Sequence, residues 1–284
     1  MKTIFSEGRK DDCAKYTILG ASGFVGSRIL KMLKSEGKEC YAPAKGEAEI
    51  FERDLGRVFY CIGLTADYAQ RPFDTVEAHV GYLARILEKA KFDRLVYLSS
   101  TRLYDSLQIG GGTEEANIVF NPFNPRHIYD LSKALGENLC MTVSGGRASV
   151  ARLSCVFDDA PGSPGFLSEL INRLRVERSF VLDSSSGYAR DYVSLNDVVL
   201  MLRIILDSGR NEIFNVASGE NVTNQEIVDK LNSSGCQISL RYQSDRQSSV
   251  VCNIEKVKEM GVLPVLVRNY LGLFLNKLDA NATC

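Results

Sequence analysis

Short apolar runs alternate with helically spaced apolar positions along much of this chain. The apolar run that ends at Leu19 predicts a buried strand, and the apolar positions after it repeat with a helical period. Further strands are predicted at residues 39–42, 57–63, 94–98, 148–157, 180–182 and 212–216. Further helices are predicted at residues 47–53, 75–91, 128–143, 166–177, 198–206 and 223–231. This alternation predicts right-handed βαβ crossovers and a parallel sheet that binds ligands at the carboxyl ends of its strands.

A glycine-rich turn joins the first strand to the first helix. Gly20, Gly23 and Gly26 follow one another at three-residue intervals. In a dinucleotide-binding turn, Gly20 would allow the sharp turn, Gly23 the approach of the backbone to a pyrophosphate, and Gly26 the close packing of helix on strand. The N–H groups that open the helix would face the anion. The spacing is not Gly-x-Gly-x-x-Gly, so an ordinary glycine-rich turn is the alternative.

The segment after the second strand bears on the choice of dinucleotide. An acidic residue near the end of this strand binds the ribose hydroxyls of NAD, whereas basic groups suit the 2′-phosphate of NADP. No acidic residue stands there, and Lys45 favours NADP, although a merely solvated lysine is an equal alternative. Very little chain separates strands 39–42 and 57–63. One strand–helix repeat is therefore predicted to be missing or shortened, which would leave the adenine side of a cofactor pocket open.

Bulk properties exclude several classes of protein. The 284 residues carry a formal net charge of -1, which gives no electrostatic case for nucleic acid or an anionic membrane as a partner. The sequence contains no apolar run long enough for a transmembrane helix, and residues 1–15 are predicted to be a polar lead-in. Eight cysteines are scattered without the close spacing of a zinc site: Cys13, Cys40, Cys61, Cys140, Cys155, Cys236, Cys252 and Cys284. We expect reduced thiols, no metal, and a cytoplasmic protein.

Three polar residues on separate segments form a candidate catalytic group. Tyr129 and Lys133 are four apart at the start of a predicted helix, so they share a face. A lysine ammonium beside a phenol favours the phenolate and lowers its pKa, which suits tyrosine to general acid–base work. Ser100 follows a predicted strand of the same sheet and could polarise a substrate oxygen at the same point. A role for Ser100 as a strand-end cap is the alternative.

With these residues in order, the sequence resembles the extended short-chain dehydrogenase/reductase family, which comprises sugar-nucleotide epimerases, dehydratases and reductases. The resemblance runs from about residue 16 to about residue 231. Its ordered marks are Gly-Ala-Ser-Gly-Phe-Val-Gly at 20–26, Val-Tyr-Leu-Ser-Ser-Thr-Arg-Leu-Tyr at 96–104, Tyr-x-x-x-Lys at 129–133, Arg-Leu-Ser-Cys-Val-Phe at 152–157, Arg-Asp-Tyr-Val-Ser-Leu-Asn-Asp at 190–197 and Phe-Asn-Val-Ala-Ser-Gly at 214–219.

The resemblance implies a bound NAD or NADP and specific roles for the three residues. Tyr129 would be the catalytic base, Lys133 would hold the nicotinamide ribose, and Ser100 would hydrogen-bond the reacting oxygen. The expected cofactor contacts are Gly20, Ser22, Gly23, Phe24, Val25, Gly26, Lys45, Cys61, Ile62, Gly63, Leu64, Ser99, Tyr129 and Lys133. The expected substrate contacts are Thr101, Cys155 and Arg190, and the guanidinium of Arg190 suits a diphosphate.

Pattern and resemblance together predict the fold class and the domains. The class is α/β, a Rossmann-type doubly wound parallel sheet with a smaller mixed C-terminal substrate-binding region. Residues 1–157, with about 190–220, would form the dinucleotide-binding domain. Residues 158–189 and 221–284 would form the smaller region.

Departures from the family pattern narrow the chemistry. Cys155 stands where many relatives have an asparagine that binds the nucleotide-sugar phosphate, which weakens the substrate assignment. His79 occupies another usual asparagine position and is predicted to be a packed histidine. Thr101 and Arg102 replace the Asp-Glu pair with which sugar 4,6-dehydratases remove water, so dehydration is disfavoured.

Two side chains keep alternative interpretations. Arg190 either contacts a substrate diphosphate or pairs with Asp197. His127, two residues before Tyr129, either lines the substrate pocket or faces solvent.

The predicted function is hydride transfer at one carbinol or keto carbon of a nucleotide-activated sugar, by an NAD(P)-dependent 4-epimerase or 4-ketoreductase. The alternative is a non-catalytic NAD(P)-binding sensor or scaffold of the same fold. The resemblance suggests a homodimer. The identity of the sugar and the choices between NAD and NADP and between epimerase and reductase stay open.

Overall fold

Alternating strands and helices make up most of the structure, a computed structural model that describes residues 15–107, 111–247 and 250–282. The strands are β1 (Tyr16–Leu19), β2 (Cys40–Tyr41), β3 (Arg57–Tyr60), β4 (Arg94–Ser100), β5 (Ala148–Leu153), β6 (Cys155–Phe157), β7 (Ser179–Ser185), β8 (Ala189–Ser194), β9 (Ile213–Val216), β10 (Asn221–Thr223) and β11 (Gln237–Tyr242). The α-helices are α1 (Phe24–Ser35), α2 (Pro72–Val76), α3 (Tyr82–Lys89), α4 (His127–Val143), α5 (Phe166–Leu174), α6 (Leu195–Ser208), α7 (Asn224–Asn232), α8 (Glu255–Glu259) and α9 (Val267–Ala282).

A six-stranded parallel sheet forms the centre of the molecule. Its strand order is β2-β1-β3-β4-β5-β9, and all neighbouring strands run parallel. From β1 the chain passes to β2 on one side and to β3 on the other, so the strand order reverses between β1 and β3. In open α/β sheets such a switch point opens a crevice at the carboxyl ends of the strands.

The edge of this sheet confirms that one strand–helix repeat is shortened. β2 has two residues, and only a 3₁₀ helix at Ala48–Phe51 lies between it and β3. The predicted helix at 47–53 is this short 3₁₀ turn. Glu47, the first acidic residue after β2, accepts hydrogen bonds from the Tyr41 hydroxyl and from the Ala44 N–H group, the latter at 2.9 Å.

Helices cover both faces of the sheet. Ile29 and Leu33 of α1 pack with α6 on one face, in a cluster that includes Leu202 and Ile205. On the other face, side chains from α3 and α4 pack in a second cluster that includes Ile86. The strands are hydrophobic on both sides because helices cover both faces of the sheet. The predicted Rossmann-type α/β class is confirmed.

One predicted helix contains a π-helical turn. The segment predicted as a helix at 75–91 spans Pro72–Lys89 in the structure, with a π-helical turn at Glu77–Gly81 between α2 and α3. Such turns re-aim side chains and occur frequently at functional sites. His79 lies in this turn and is fully buried.

The strand predicted at 148–157 is two strands in the structure. β5 belongs to the central sheet, whereas β6 pairs with β8 in a separate three-stranded sheet. The break falls at Ser154, whose N–H donates to the Val216 carbonyl at 3.1 Å and whose hydroxyl donates to Asp191 at 2.8 Å. Strand-forming sequence continues on both sides of Ser154, so the sequence pattern does not report this change of sheet.

The C-terminal part has a separate apolar cluster. It joins α5, α7 and α9 to β7 and β11, which pair with each other, and includes Leu170, Ile227 and Leu271. The helix predicted at 223–231 begins with the expected capping box of Thr223 and Glu226.

Some predictions concern residues that lie outside the described ranges. These are residues 1–14 of the predicted polar lead-in, which include Cys13, and Cys284. Among the described helices, none has the length and apolar character needed to cross a bilayer.

Candidate active site

The turn between β1 and α1 has the geometry that suits a phosphate-bearing ligand. Gly20 has a φ of +85°, and a Cβ at Gly26 would collide with the Gly20 carbonyl oxygen. α1 begins after Gly23, and no described side chain caps its first turn. The N–H groups of that turn therefore lack acceptors within the helix, and the helix dipole adds partial positive charge beside them.

The loop after β3 packs against this turn and forms a second wall of the crevice. A Cβ at Gly20 would lie 3.0 Å from the carbonyl oxygen of Cys61. A Cβ at Gly63 would lie 3.2 Å from Nε2 of His79 and 3.3 Å from Nζ of Lys133. The two segments also contain the remaining predicted cofactor residues of this region: Ser22, Phe24, Val25, Ile62 and Leu64. The backbone of one wall thus lies directly against the predicted catalytic lysine.

His79 fixes the second wall to α4. Its Nε2 accepts a hydrogen bond from the N–H of Leu64 at 3.3 Å, so we assign the proton to Nδ1, which donates to the Ser132 hydroxyl at 2.8 Å. Ser132 donates in turn to the carbonyl of Tyr129 at 2.9 Å. Burial, aided by the charge of Lys133, lowers the pKa of His79 to about 2. The prediction of a packed histidine is confirmed.

Lys133 is buried at the floor of the crevice. Its ammonium donates to the carbonyl of Leu98 at 2.7 Å and lies 4.9 Å from the ring centroid of Tyr97. Burial lowers the pKa of Lys133 to about 7, although the negative charge of Glu137 acts to raise it. This differs from the expected pairing, because the ammonium hydrogen-bonds the end of β4 and not the phenol of Tyr129.

Tyr129 is in the first turn of α4, beside Ser100 at the carboxyl end of β4, and its side chain is 3% exposed. Burial raises the pKa of its phenol, while hydrogen bonding from Ser100, the positive charge of Arg102 and hydrogen bonding from Thr65 oppose that rise. The expected lowering of the pKa by Lys133 is therefore wrong for this structure, and the cation that acts on the phenol is Arg102. The structure does bring Ser100 and Tyr129 together, as predicted.

Arg102 is a site residue that the sequence reasoning did not assign. Its guanidinium carbon lies 4.6 Å from the ring centroid of Tyr129 and 5.0 Å from that of Tyr68. The residue follows the strand-end Ser100 in a 3₁₀ helix at Thr101–Ser106. The signal for it in the sequence is its position in the segment that carries catalytic acids in dehydratases.

The predicted substrate residues lie around the same cleft. Cys155 is accessible to solvent. The surrounding protein still displaces enough water to raise the pKa of its thiol to about 11, and the positive charge of Arg190 opposes that rise. The Arg190 guanidinium lies 4.4 Å from the ring centroid of Tyr188 and donates to the Ala189 carbonyl at 3.1 Å. Thr101 donates to the Leu153 carbonyl at 3.3 Å, so its hydroxyl holds the strand ends together.

Asp197 has a structural role, which removes one of the alternatives. Its carboxylate accepts hydrogen bonds from the Ser194 hydroxyl at 2.8 Å and from the Val265 N–H at 3.1 Å, at the start of α6. Ser194 is the N-cap of α6, and its hydroxyl oxygen accepts a hydrogen bond from the Asp197 N–H at 3.1 Å. The Asp197 carboxylate therefore supports the start of α6, and among the described residues it forms no ion pair with Arg190. His127 is half-buried and accepts a hydrogen bond from the N–H of Asn121 at 2.7 Å.

Two predicted cofactor residues have other surroundings. The Ser99 hydroxyl donates to Glu137 at 2.5 Å inside the protein, where Arg152 binds both oxygens of the same carboxylate at 2.9 and 2.6 Å. Only the backbone of Ser99 is left for contact with a ligand. Lys45 is exposed in the loop after β2, at the open edge of the central sheet.

Comparisons with known proteins agree with this fold. No curated protein sequence matches the chain. A UDP-glucose 4-epimerase from Thermotoga maritima, solved with UDP-glucose, is 18% identical with a TM-score of 0.73, over 94% of this chain and 99% of that one. MoeE5 in complex with UDP-glucose and NAD is 20% identical with a TM-score of 0.72, over 95% of this chain and 100% of that one. RMD from Pseudomonas aeruginosa, complexed with NADPH, is 18% identical with a TM-score of 0.71, over 94% of this chain and 99% of that one.

A family model identifies the group to which these features belong. The model of the NAD dependent epimerase/dehydratase family matches residues 16–217, which include the glycine turn, Tyr129 and Lys133. The match confirms the resemblance drawn from the ordered motifs. The family's dependence on NAD confirms the expectation of a nicotinamide dinucleotide, NAD or NADP. The chain belongs to the NAD-dependent epimerase/dehydratase family.

Proposed function

We propose that this chain transfers a hydride at one carbinol or keto carbon of a nucleotide-activated sugar, as a 4-epimerase or a 4-ketoreductase. The observation that carries the proposal is the phenol of Tyr129, buried beside the Ser100 hydroxyl and the Arg102 guanidinium at a switch-point crevice. A protein that only binds a dinucleotide has no use for a phenol held between a hydroxyl and a cation.

The walls of the crevice fit a dinucleotide. The first turn of α1 and Gly23 would hold its diphosphate, and the loop at residues 61–64 would border its nicotinamide half. Lys133 would donate to the ribose hydroxyls, since its ammonium is buried beside Gly63 and has donors beyond the one that binds Leu98. When bound, the dinucleotide supplies the site that accepts or donates the hydride.

The chain's own residues would move the proton. Tyr129 takes a proton from the substrate hydroxyl or gives one to the substrate carbonyl. Ser100 hydrogen-bonds the same oxygen, and the positive charge of Arg102 stabilises the phenolate. Because burial raises the pKa of Tyr129, the phenol is protonated before ligands bind, so Arg102 and Ser100 are needed to reach the base form.

The substrate side supports chemistry at a single carbon. Arg190 and Cys155 would contact the nucleotide diphosphate. The rest of the substrate would lie against the smaller region, residues 158–189 and 221–284. Two structural neighbours were solved with UDP-glucose, which makes uridine sugars the first candidates. Arg102 stands where a dehydratase would need a carboxylate, which favours epimerisation or reduction over loss of water.

The test is the substitution Tyr129→Phe. We expect it to retain the fold and dinucleotide binding but to lose turnover by at least about a hundredfold, since general acid–base catalysis contributes that much or more. Wild type and variant are incubated with UDP-glucose, UDP-galactose and other nucleotide sugars, with NAD and NADPH in turn. Changed sugars are separated by chromatography, and NAD(P)H is followed by its absorbance.

The matched control is Tyr242→Phe, which removes a hydroxyl from an exposed tyrosine of β11. We expect full turnover in this variant. Undiminished turnover in Tyr129→Phe would overturn the catalytic assignment. Dinucleotide binding without turnover of any sugar by the wild type would favour the sensor or scaffold alternative.

A further inference from the structure

Arg102 is held in place by the same serine that contacts the catalytic phenol. The backbone N–H of Arg102 donates to the Ser100 hydroxyl oxygen at 3.2 Å, and the side chain lies against the rings of Tyr129 and Tyr68. Its Nη2 donates to the Tyr68 hydroxyl at 3.3 Å. The guanidinium is therefore fixed beside the phenol that exchanges a proton with the substrate.

Among the residues that the structure describes, this cation has no carboxylate partner, in contrast to Arg152 at the end of β5. Arg152 is buried and binds both oxygens of Glu137. Within the described residues Arg102 forms no ion pair, and Asp130 acts on it only as a nearby charge. A guanidinium has five N–H donors, of which one reaches a protein acceptor here. A half-buried cation in this state is suited to an anion that arrives with a ligand.

A second guanidinium lies on the same cleft. The charges of Arg190 and Arg102 both act on the thiol of Cys155, which is exposed between the two regions. In the proposed function, Arg190 contacts the diphosphate of the substrate. The charge of Arg102 acts on the phenol through the ring face, and its remaining N–H donors are available to another anion, close to the carbon at which Tyr129 works.

We infer that Arg102 binds a carboxylate on the sugar ring, so that the substrate is a nucleotide-activated uronic acid in preference to a neutral hexose. This inference rests on the proposed function. A uronic acid carries its carboxylate on the ring carbon next to C4, the carbon at which a 4-epimerase or 4-ketoreductase acts. The planar fork of a guanidinium can bind both oxygens of a carboxylate, which a lone ammonium cannot match. The hydroxymethyl group of a neutral hexose offers the guanidinium no such pair of oxygens.

The experiment compares two probes that differ only at this group, UDP-glucuronate and UDP-glucose. Binding is measured by calorimetry on NAD-saturated protein in the Tyr129→Phe background, so that turnover does not alter the ligand. We expect UDP-glucuronate to bind at least about tenfold more tightly than UDP-glucose. Arg102→Gln removes the charge and is expected to abolish this preference, with a change of less than about twofold for UDP-glucose.

Arg241→Gln, at an exposed position of β11, is the control and should keep the preference. Equal affinity for the two probes before Arg102 is changed would overturn the inference and leave the proposed function standing, and this result requires no folded Arg102 variant. A preference retained in Arg102→Gln would also overturn it. Failure to bind either probe would count against the proposed function as well.

Discussion

At the scale of single residues, two cations of the site are held in opposite ways. Lys133 is buried, donates to a backbone carbonyl, and has a lowered pKa. Arg102 lies on aromatic faces and keeps its charge, because a guanidinium stays protonated at any ordinary pH. The chain thus places its adjustable cation under the cofactor crevice and its permanent cation beside the phenol.

The lowered pKa of Lys133 predicts a pH dependence of stability. Between its folded pKa of about 7 and its ordinary value of 10.5, the unfolded chain binds a proton at Lys133 that the folded chain does not. Stability of the cofactor-free protein therefore rises with pH through this window, by at most about 1.4 kcal/mol per pH unit from this group. Urea unfolding from about pH 7 to about pH 8.5 measures the rise, and Lys133→Met should reduce its slope.

The upper limit of pH in this experiment is set by the thiols. Burial raises the pKa of Cys61 from 9.0 to about 12, so above pH 9 the unfolded chain loses a proton that the folded chain keeps, and stability falls. His79, with its lowered pKa, changes the balance only below its ordinary value of 6.5. Equal slopes in wild type and Lys133→Met would show that Lys133 is not buried as a neutral amine.

At the scale of elements, a buried polar network holds the strand ends that carry the site. Arg152 of β5 binds Glu137 of α4 and donates to the Tyr104 hydroxyl at 2.9 Å, and Tyr104 donates to Asn215 of β9 at 2.8 Å. Glu114, from the loop before α4, accepts from the N–H of Asn215 at 2.9 Å. This network fixes the loop, β5 and β9 relative to α4, the helix that carries Tyr129.

Breaking this network should be costly. Arg152→Met leaves a buried carboxylate unpaired, and we expect a loss of about 3–5 kcal/mol in the free energy of unfolding. Arg71→Met is the matched control, because Arg71 forms exposed ion pairs with Asp67 and Asp74 that are worth about 0–1 kcal/mol. Chemical denaturation measures both. A similar small loss in the two variants would contradict the structural role of the Arg152 pair.

Sequence patterns predict those elements whose packing is regular. Strands buried on both faces and helices with one apolar face produce periods that can be recognised, as at β4 and α4. The split between β5 and β6 depends on hydrogen bonds of Ser154 to residues far along the chain, which no local period reports. The small sheets of the C-terminal part pair strands that are distant in sequence. In the pair of β7 with β11, the sequence pattern predicts β7 but not β11.

The same distinction applies to the site. The glycine turn and the Tyr129–Ser100 contact were predictable, because strand ends of a parallel sheet meet at one edge. The direction of the Lys133 side chain was not, because it depends on burial against Leu98. The place of Arg102 depends on a 3₁₀ turn and on its contact with Tyr68, a residue in a separate loop.

At the scale of the whole molecule, the shortened repeat makes the two ends of the crevice unlike. Gly63, His79 and Lys133 lie in close contact at the end that the proposed function assigns to the nicotinamide. A two-residue strand and the exposed loop that carries Lys45 lie at the opposite end, where the adenine half is expected. Glu47, the first acidic residue after β2, already accepts hydrogen bonds from Tyr41 and Ala44.

This asymmetry predicts the effect of Lys45→Glu on cofactor choice. A carboxylate at this position repels a 2′-phosphate and can accept hydrogen bonds from ribose hydroxyls. We expect affinity for NADPH to fall by about tenfold or more, with little loss for NADH. Fluorescence titration measures both constants, and Lys89→Glu on the exposed end of α3 is the control. Equal effects on the two dinucleotides would exclude Lys45 from the 2′-phosphate site.

The brevity of β2 has a consequence for the behaviour of the protein at high concentration. An outer strand exposes unpaired N–H and C=O groups that can recruit the strand of another molecule, and proteins commonly guard against this with charges, prolines or covering segments. Two residues followed closely by Pro43 offer too few such groups to template an added strand. The shortened repeat and Pro43 therefore protect this border of the sheet against the pairing of an added strand.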